Sequence, residues 1–310
     1  MKRLAAILLA AALFPAMKTS AEDSLPIVLT EPGTGVSYTC SVTDPDTMSI
    51  TIVSAQVPEE LTDLVIPDIL GGCRVTALGE KLFLGCEKLS SVTLPDTLVS
   101  VGGMAFSGCY GLREIVLPDG LTELGSSCFA GCGALSSAVL GRDLERIPER
   151  CFAACSSLTD VQLPDGLAAI GDEAFFGCGD LTMTVPSSVT EIGVNAIGVR
   201  YDLRTGGLAP FDDFLILGSD NSTADSYARE TGVDFIDPTD LLSGDADRDG
   251  CVDAADASLV LVEYAHLLTG GAPNFSRAQQ FRADINSDGT VDSSDASDIL
   301  RKYADILTGN

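Results

Sequence analysis

The sequence predicts an α/β-type, right-handed solenoid of short parallel strands with ~23-residue repeats, followed by a small all-α module. Three observations carry this. Cys86, Cys109, Cys132, Cys155 and Cys178 recur every 23 residues, each inside the same phrase. In most copies a Leu-x-x-Ile/Val-x-Leu segment ends at a Pro-Asp turn, the mark of a short strand with one apolar face. Near the C-terminus, two acidic 12-residue loops each precede an amphipathic stretch. A chain of 310 residues has room for two or three compact units.

The chain opens with Met1-Lys-Arg, an apolar run from Leu4 to Ala16, and small residues Thr19-Ser-Ala21 before Glu22. That pattern predicts a secretory signal over residues 1–21. The run is short for a membrane span and no second one follows, so release from the cell without a membrane anchor is expected. Residues 22–57 contain two alternating segments, Tyr38 to Val42 and Met48 to Val53, around Asp44-Pro-Asp-Thr47. They predict a β-hairpin that caps the first coil.

Residues 58–200 hold the repeats. In the copy beginning at Leu112, the residues Leu112, Ile115 and Leu117 turn inward while Glu114 and Val116 point out. Pro118-Asp-Gly ends the strand, Leu121 and Leu124 turn inward on the return leg, and Cys128-Phe129 fills the far wall. A single coil cannot bury these side chains, but stacked coils with strands ~4.8 Å apart can. The copies make about six coils, which would span ~25–30 Å at that spacing. The outward strand positions form the candidate binding face: Ser91 and Thr93, Glu114 and Val116, Ser137 and Val139, Asp160 and Gln162. They are small, polar and mildly acidic, without an aromatic anchor.

The blocks Leu163-Pro-Asp-Gly-Leu, Ile170-Gly-Asp-Glu-Ala-Phe and Gly177-Cys-Gly-Asp-Leu181 resemble the BspA-like bacterial leucine-rich repeats, a cell-surface and secreted family. The resemblance covers roughly residues 58–200 and implies a leucine-rich-repeat solenoid whose cysteines are mostly buried thiols in a ladder. Cross-coil disulfides remain open, with Cys128 and Cys151 as the first pair to test. Metal binding is a further alternative, although this half has no histidine and no Cys-x-x-Cys pair. Residues 201–237 then predict a closing segment. Phe214 to Leu217 reads as a strand, Ser222 to Glu230 as a helix capped by Ser222 or Thr223, and Val233 to Ile236 as a strand. Residues 238–243 read as a linker.

Over 244–310 the acidic loops take over. Asp245, Asp247, Asp249, Asp253 and Asp256 stand at positions 1, 3, 5, 9 and 12 of the first loop, with Gly250 at position 6. In the second loop Asp284, Asn286, Asp288, Asp292 and Asp295 stand at the same positions, with Gly289 at the turn. This is the spacing of an EF-hand-type calcium loop, with Asp in place of Glu at position 12. The backbone carbonyls of Cys251 and Thr290 would complete each set, so two calcium ions are expected. Ala257 to Leu267 and Ala296 to Ile306 read as helices. No helix pattern immediately precedes the first loop, which makes the repeat a loop–helix unit. Removing the cation is expected to unfold residues 243–308, because the carboxylates repel and the core is small, while the solenoid survives.

The duplicated motifs Gly244-Asp-Ala-Asp-Arg-Asp-Gly and Ala283-Asp-Ile-Asn-Ser-Asp-Gly look like a type I dockerin over about 243–308. That resemblance implies a cellulosome component, extracellular and held at the cell surface through the cohesin module of a scaffoldin. Carried onto this chain, the cohesin-binding positions fall on Ala254, Ala255, Leu261, Val262 and His266 in the first repeat. In the second they fall on Ser293, Ser294, Leu300, Arg301 and Asp305. One set is apolar and the other polar, which departs from dockerins with near-identical repeats.

A formal charge of -27 argues against nucleic acid and anionic membranes as partners. Trp is absent and aromatics make up 6% of the chain, which leaves little for a sugar-stacking platform, although Tyr and Phe remain. The leading expectation for the repeats is a surface that binds a protein or glycan. The alternatives are a structural spacer, or a carbohydrate-active enzyme of unrecognised type. An enzyme is not expected. The single histidine, His266, lies in the C-terminal module, and Glu114 and Asp160 stand two coils apart on an open face.

Overall fold

The computed structural model describes residues 27–30, 34–179, 181–211, 214–238, 244–247 and 249–309. The expected signal segment and most of the expected linker lie outside these residues. The chain forms two compact units. One comprises the chain up to Leu181 with Ser188–Ala209, and the other Thr182–Ser187 with the chain from Pro210 onward.

In the first unit, β1 (Ile27–Thr30), β2 (Ser37–Asp44) and β3 (Ser49–Gln56) form an antiparallel sheet. The β2–β3 turn is set by Asp44, whose carboxylate accepts from Asp46 N at 2.9 Å and from Thr47 Oγ1 at 2.7 Å. Along β2 and β3 the alternation buries Tyr38, Cys40, Ile50 and Ile52. The first coil follows with β4 (Asp63–Val65), β5 (Ile69–Leu70) and β6 (Cys73–Leu78), and β3 pairs in parallel with β6. The hairpin therefore continues the coil sheet directly.

Each later coil contributes a front strand and a back strand. In order these are β7 (Ser91–Thr93) and β8 (Ser100–Val101), β9 (Glu114–Val116) and β10 (Glu123–Leu124), β11 (Ser137–Val139) and β12 (Arg146–Ile147), then β13 (Asp160–Gln162) and β14 (Ala169–Ile170). The last copy gives β15 (Thr182–Thr184) and β16 (Glu191–Ile192). Neighbouring strands run parallel and in register, as in Glu114–Ser137–Asp160 at the front and Arg146–Ala169–Glu191 at the back.

The core repeats with the sequence. Phe83, Phe106, Phe129, Phe152 and Phe175 stack with ring centroids 5.2, 5.4, 5.3 and 5.3 Å apart. Leu112, Ile115, Leu117 and Leu121 are buried as expected, whereas Leu124 is only half-buried. Between the back strand and the phenylalanine, or Ile197 in the last copy, each coil turns through a left-handed residue: Lys81, Met104, Ser127, Arg150, Glu173 and Asn195 have φ of 57, 55, 57, 54, 53 and 53°. A few residues on, Gly85, Gly108, Gly131 and Gly177 share a second left-handed position that Ala154 occupies in its coil at φ 59°. Gly125 serves a different need, since a Cβ there would run into the backbone of Gly102 and Gly103. The solenoid has about eight turns. That exceeds the six expected because the flanking segments add rungs of their own.

The last of these rungs belong to the second unit. After the hairpin β17 (Val199–Asp202) and β18 (Gly207–Pro210) comes β19 (Leu215–Leu217), then helix α1 (Thr223–Thr231) and β20 (Asp234–Ile236). β15, β19 and β20 form a parallel three-stranded sheet. Ser222 caps α1 by accepting from Asp225 N at 3.3 Å, and Gly232 ends it in a left-handed conformation. Among the described residues that follow there are three helices: α2 (Ala254–Leu268), α3 (Arg277–Ala283) and α4 (Ser293–Thr308). α2 and α4 pack around Ala246, Ala257, Val260, Phe275, Ala283, Ala296 and Ile299. Repeat spacing does not predict α3. Its signal is local, a capping box in which Ser276 Oγ accepts from Gln279 N and Gln279 Oε1 accepts from Ser276 N.

Candidate functional site

The two acidic loops fold alike. In the first, Asp245 accepts from Gly250 N at 3.0 Å, Asp247 from Asp249 N at 3.0 Å and Asp249 from Cys251 N at 2.8 Å. In the second, Asp284 accepts from Gly289 N at 2.8 Å, Asn286 from Asp288 N at 2.8 Å and Asp288 from Thr290 N at 2.9 Å. These bonds wind the chain so that alternate side chains converge. Gly250 and Gly289 take φ of 90 and 86°, which a β-branched residue could not hold without strain.

Positions 9 and 12 close each loop and start each helix. Asp253 accepts from Ala255 N, and the Asp256 carboxylate accepts from Asp253 N at 2.9 Å and from Ala246 N at 2.8 Å. Asp292 accepts from Ser294 N, and Asp295 accepts from Asp292 N at 2.9 Å and Asn286 N at 3.4 Å. These are capping boxes, so α2 and α4 begin at Ala254 and Ser293, three residues before the apolar pattern does. Asp256 and Asp295 are buried, at 1% and 0% exposure.

The donor set fits a hard cation. Asp245, Asp247 and Asp249 each offer an oxygen within 4.8 Å of the others. Oxygen donors of this number and spacing suit Ca²⁺. Desolvation pushes the Asp247 carboxyl up, with the charges of Asp256, Asp249 and Asp245 adding to it. Burial likewise raises Asp295, while Thr290 holds Asp288 below the usual carboxylate range. Cys251 is exposed beside Asp249, whose charge raises its thiol.

Of the expected cohesin-binding positions, all but His266 are exposed along α2 and α4. Ala254, Ala255, Ser293, Arg301 and Asp305 face solvent, and Leu261, Val262 and Leu300 are 45%, 67% and 45% exposed. Leu261 and Val262 therefore do not serve the α2–α4 packing. Ser294 is exposed but engaged, its hydroxyl lying between Asn286 Nδ2 and Asp292 Oδ1. His266 is half-buried, with Nε2 2.9 Å from the Ala272 carbonyl, and so also fastens the turn after α2. Arg301 pairs with Asp298 at 2.7 Å. Leu268, Ile306 and Leu307, not singled out from sequence, are 69%, 58% and 68% exposed near the ends of the two helices.

On the repeats, Thr93, Glu114, Val116, Asp160 and Gln162 are exposed, and Ser91, Ser137 and Val139 are half-buried. The strand register brings Glu114, Ser137 and Asp160 into one column and Val116, Val139 and Gln162 into the other. The repeat cysteines point the opposite way. The thiols of Cys109, Cys132, Cys155 and Cys178 donate to the carbonyls of Phe83, Phe106, Phe129 and Phe152, at 3.2, 3.2, 3.2 and 3.1 Å. Burial pushes the Cys132 and Cys178 thiols up to about 12. Cys128 and Cys151 are fully buried as well, and their thiols are raised for the same reason.

Comparison with known proteins separates the same two parts. Residues 76–202 match the BspA type leucine rich repeat region in six copies, and residues 243–303 match the dockerin type I domain. No curated protein matches the chain. Among solved structures, a leucine rich cell surface protein from Faecalibacterium prausnitzii is similar at 21% identity and TM-score 0.40, over 62% of this chain and 62% of its own. A leucine rich repeat protein of T. pallidum shares 21% identity at TM-score 0.40, over 67% and 98%. A leucine-rich repeat protein from Eubacterium ventriosum shares 23% at TM-score 0.42, over 57% and 50%. This chain thus spans less than two thirds of the first and third of these proteins.

Proposed function

Because the chain carries BspA-type leucine-rich repeats followed by a type I dockerin, two binding modules, we propose that it is a secreted component of a cellulosome-like assembly. In this reading the dockerin binds a scaffoldin cohesin in a calcium-dependent way, and the repeats present a surface to a protein or glycan. The observation that carries it is the pair of matching loops, each closing on a buried Asp that also starts a helix.

One calcium ion per loop would be held by Asp245, Asp247, Asp249, Asp253, Asp256 and the Cys251 carbonyl, and by Asp284, Asn286, Asp288, Asp292, Asp295 and the Thr290 carbonyl. The cation supplies positive charge where carboxylates converge, and so turns mutual repulsion into folding free energy. The chain's own part is orientation. Asp253 and Asp292 fix the first turns of α2 and α4, which carry Ala254, Ala255, Ser293 and Ser294 to the surface. Leu261 and Val262 offer a cohesin an apolar patch on one helix, and Leu300 with Arg301 a mixed patch on the other. The two helices therefore offer a partner unlike faces. On the repeats, the front columns built on Glu114, Ser137 and Asp160 offer carboxylates and hydroxyls to a ligand's polar groups. The signal-like start supports export to the extracellular space.

Calorimetry of the full chain against a cohesin panel tests the docking half. Binding with calcium and none with chelator is expected. Silence against every cohesin, or equal binding in chelator, contradicts it. For the repeats, pull-down with the cohesin-saturated chain against cell-wall fractions, host proteins and plant polysaccharides is the matching test. Retention lost on Glu114→Arg and Asp160→Arg substitution is the expected result.

A further inference from the structure

The outward strand positions change character at the end of the array. In β15 they are Thr182 and Thr184, half-buried and exposed. The register places Leu215 and Leu217 beside them in β19, and Asp234 and Ile236 beside those in β20. Strand alternation puts all six on one face. Two rungs of that face are thus mainly apolar, yet Leu215 is 1% and Ile236 0% exposed. The cover comes from α3. Ala278, itself 2% exposed, packs on Leu215 and Ile236 with Leu217 at the margin. Its amide donates to Asp234 Oδ2 at 3.2 Å. One helical turn on, Arg282 is 3% exposed, and next to it Ala283 lies in the core between α2 and α4. A helix of 7 residues therefore joins two small cores, one in the closing sheet and one in the calcium module.

We propose that Leu215, Leu217, Asp234 and Ile236 form a docking site for α3, the segment between the two calcium loops, so that the closing sheet and the calcium module open together. Apolar residues at outward positions of terminal rungs are a liability unless covered. Asp234 adds direction by accepting from the Ala278 amide. The module is then seated on the sheet by its middle helix, while α2 and α4 keep Leu261, Val262, Leu300 and Arg301 free for a partner. The link to calcium rests on the function proposed above, whereas the docking itself does not.

Hydrogen exchange on the full chain tests this. The reporters are the amides of Val185 and Gly218, which donate to Leu217 O at 2.8 Å and Ile236 O at 3.0 Å, against the α2 and α4 interiors around Val260 and Ile299. Chelation should speed exchange by roughly tenfold or more in both groups. Faster exchange in the helices alone overturns the coupling. If neither group responds, the calcium reading fails, and substitution decides the docking. Ala278→Asp should then deprotect Val185 and Gly218, and Leu217→Asp should deprotect the amides of Gln280 in α3 and of Asp284 at its end, which donate to Ser276 O and Gln280 O. If each substitution acts only on its own side, the proposal is wrong, since coupling between two sites is reciprocal.

Discussion

The repeat array and the C-terminal loop–helix module bury charged and apolar groups in opposite proportions. In the array, five stacked phenylalanines and columns of leucine fill the interior, and the acidic side chains stay on the surface. In the module, the largest buried apolar residue is Phe275, most of the rest are alanine, valine and isoleucine, and two aspartates lie at 1% and 0% exposure. A core of the first kind stands by apolar burial alone. One of the second kind has too little apolar area to offset converging carboxylates. One part of the chain should therefore fold unconditionally, and the other only with a cation.

The comparison can be broken from the array side. The largest effect is expected at alkaline pH. Burial raises Cys132 and Cys178 to about 12 and lifts Cys109, Cys128, Cys151 and Cys155 as well. A thiol whose folded value lies above its unfolded value of 9.0 favours the fold while both states keep the proton. The advantage drains away as pH rises, because the unfolded chain ionises first. The array should therefore lose stability progressively between about pH 9 and 12. Thermal melts across that range should show it, with a shallower slope after Cys178→Ala.

Phe129→Ala comes next. It removes the middle ring of the ladder and should cost about 3–5 kcal/mol in urea unfolding of the array. The calcium response of the helices should stay as it was. Gly125→Ala forces a Cβ against the backbone of Gly102 and Gly103 and should cost about 1–3 kcal/mol by the same assay. Ala154→Gly is the smallest and has the opposite sign. It relieves an alanine held at φ 59° where neighbouring coils have glycine, and should stabilise the array by about 0.5–1 kcal/mol.

The two regions also differ in how far the sequence reveals them. The repeat is legible because one coil's burial pattern is copied in every other. A wrong register cannot hide there: a slip of one residue would expose Ile115, Ala138 and Val161 together. The loop donors are legible because oxygen side chains that are to converge on a hard cation must stand at fixed intervals around a glycine turn. What stays hidden depends on contacts between distant residues. Leu215 and Ile236 look like ordinary core positions, and nothing local says that Ala278 covers them. Apolar periodicity places the starts of α2 and α4 three residues late, because the Asp253–Asp256 and Asp292–Asp295 boxes carry the true starts at Ala254 and Ser293. The half-burial of His266 follows from its bond to Ala272 in the next turn, which helix periodicity does not contain.

The most direct measurement is circular dichroism of the full chain through a calcium titration and back with excess chelator, with hydrogen exchange read coil by coil. The helical signal of α2 and α4 should appear with calcium and vanish with chelator, while the coils from Ser91 to Ile170 keep their protection throughout. Helices that persist in chelator, or coils that open with them, would contradict the division between an unconditional and a conditional fold.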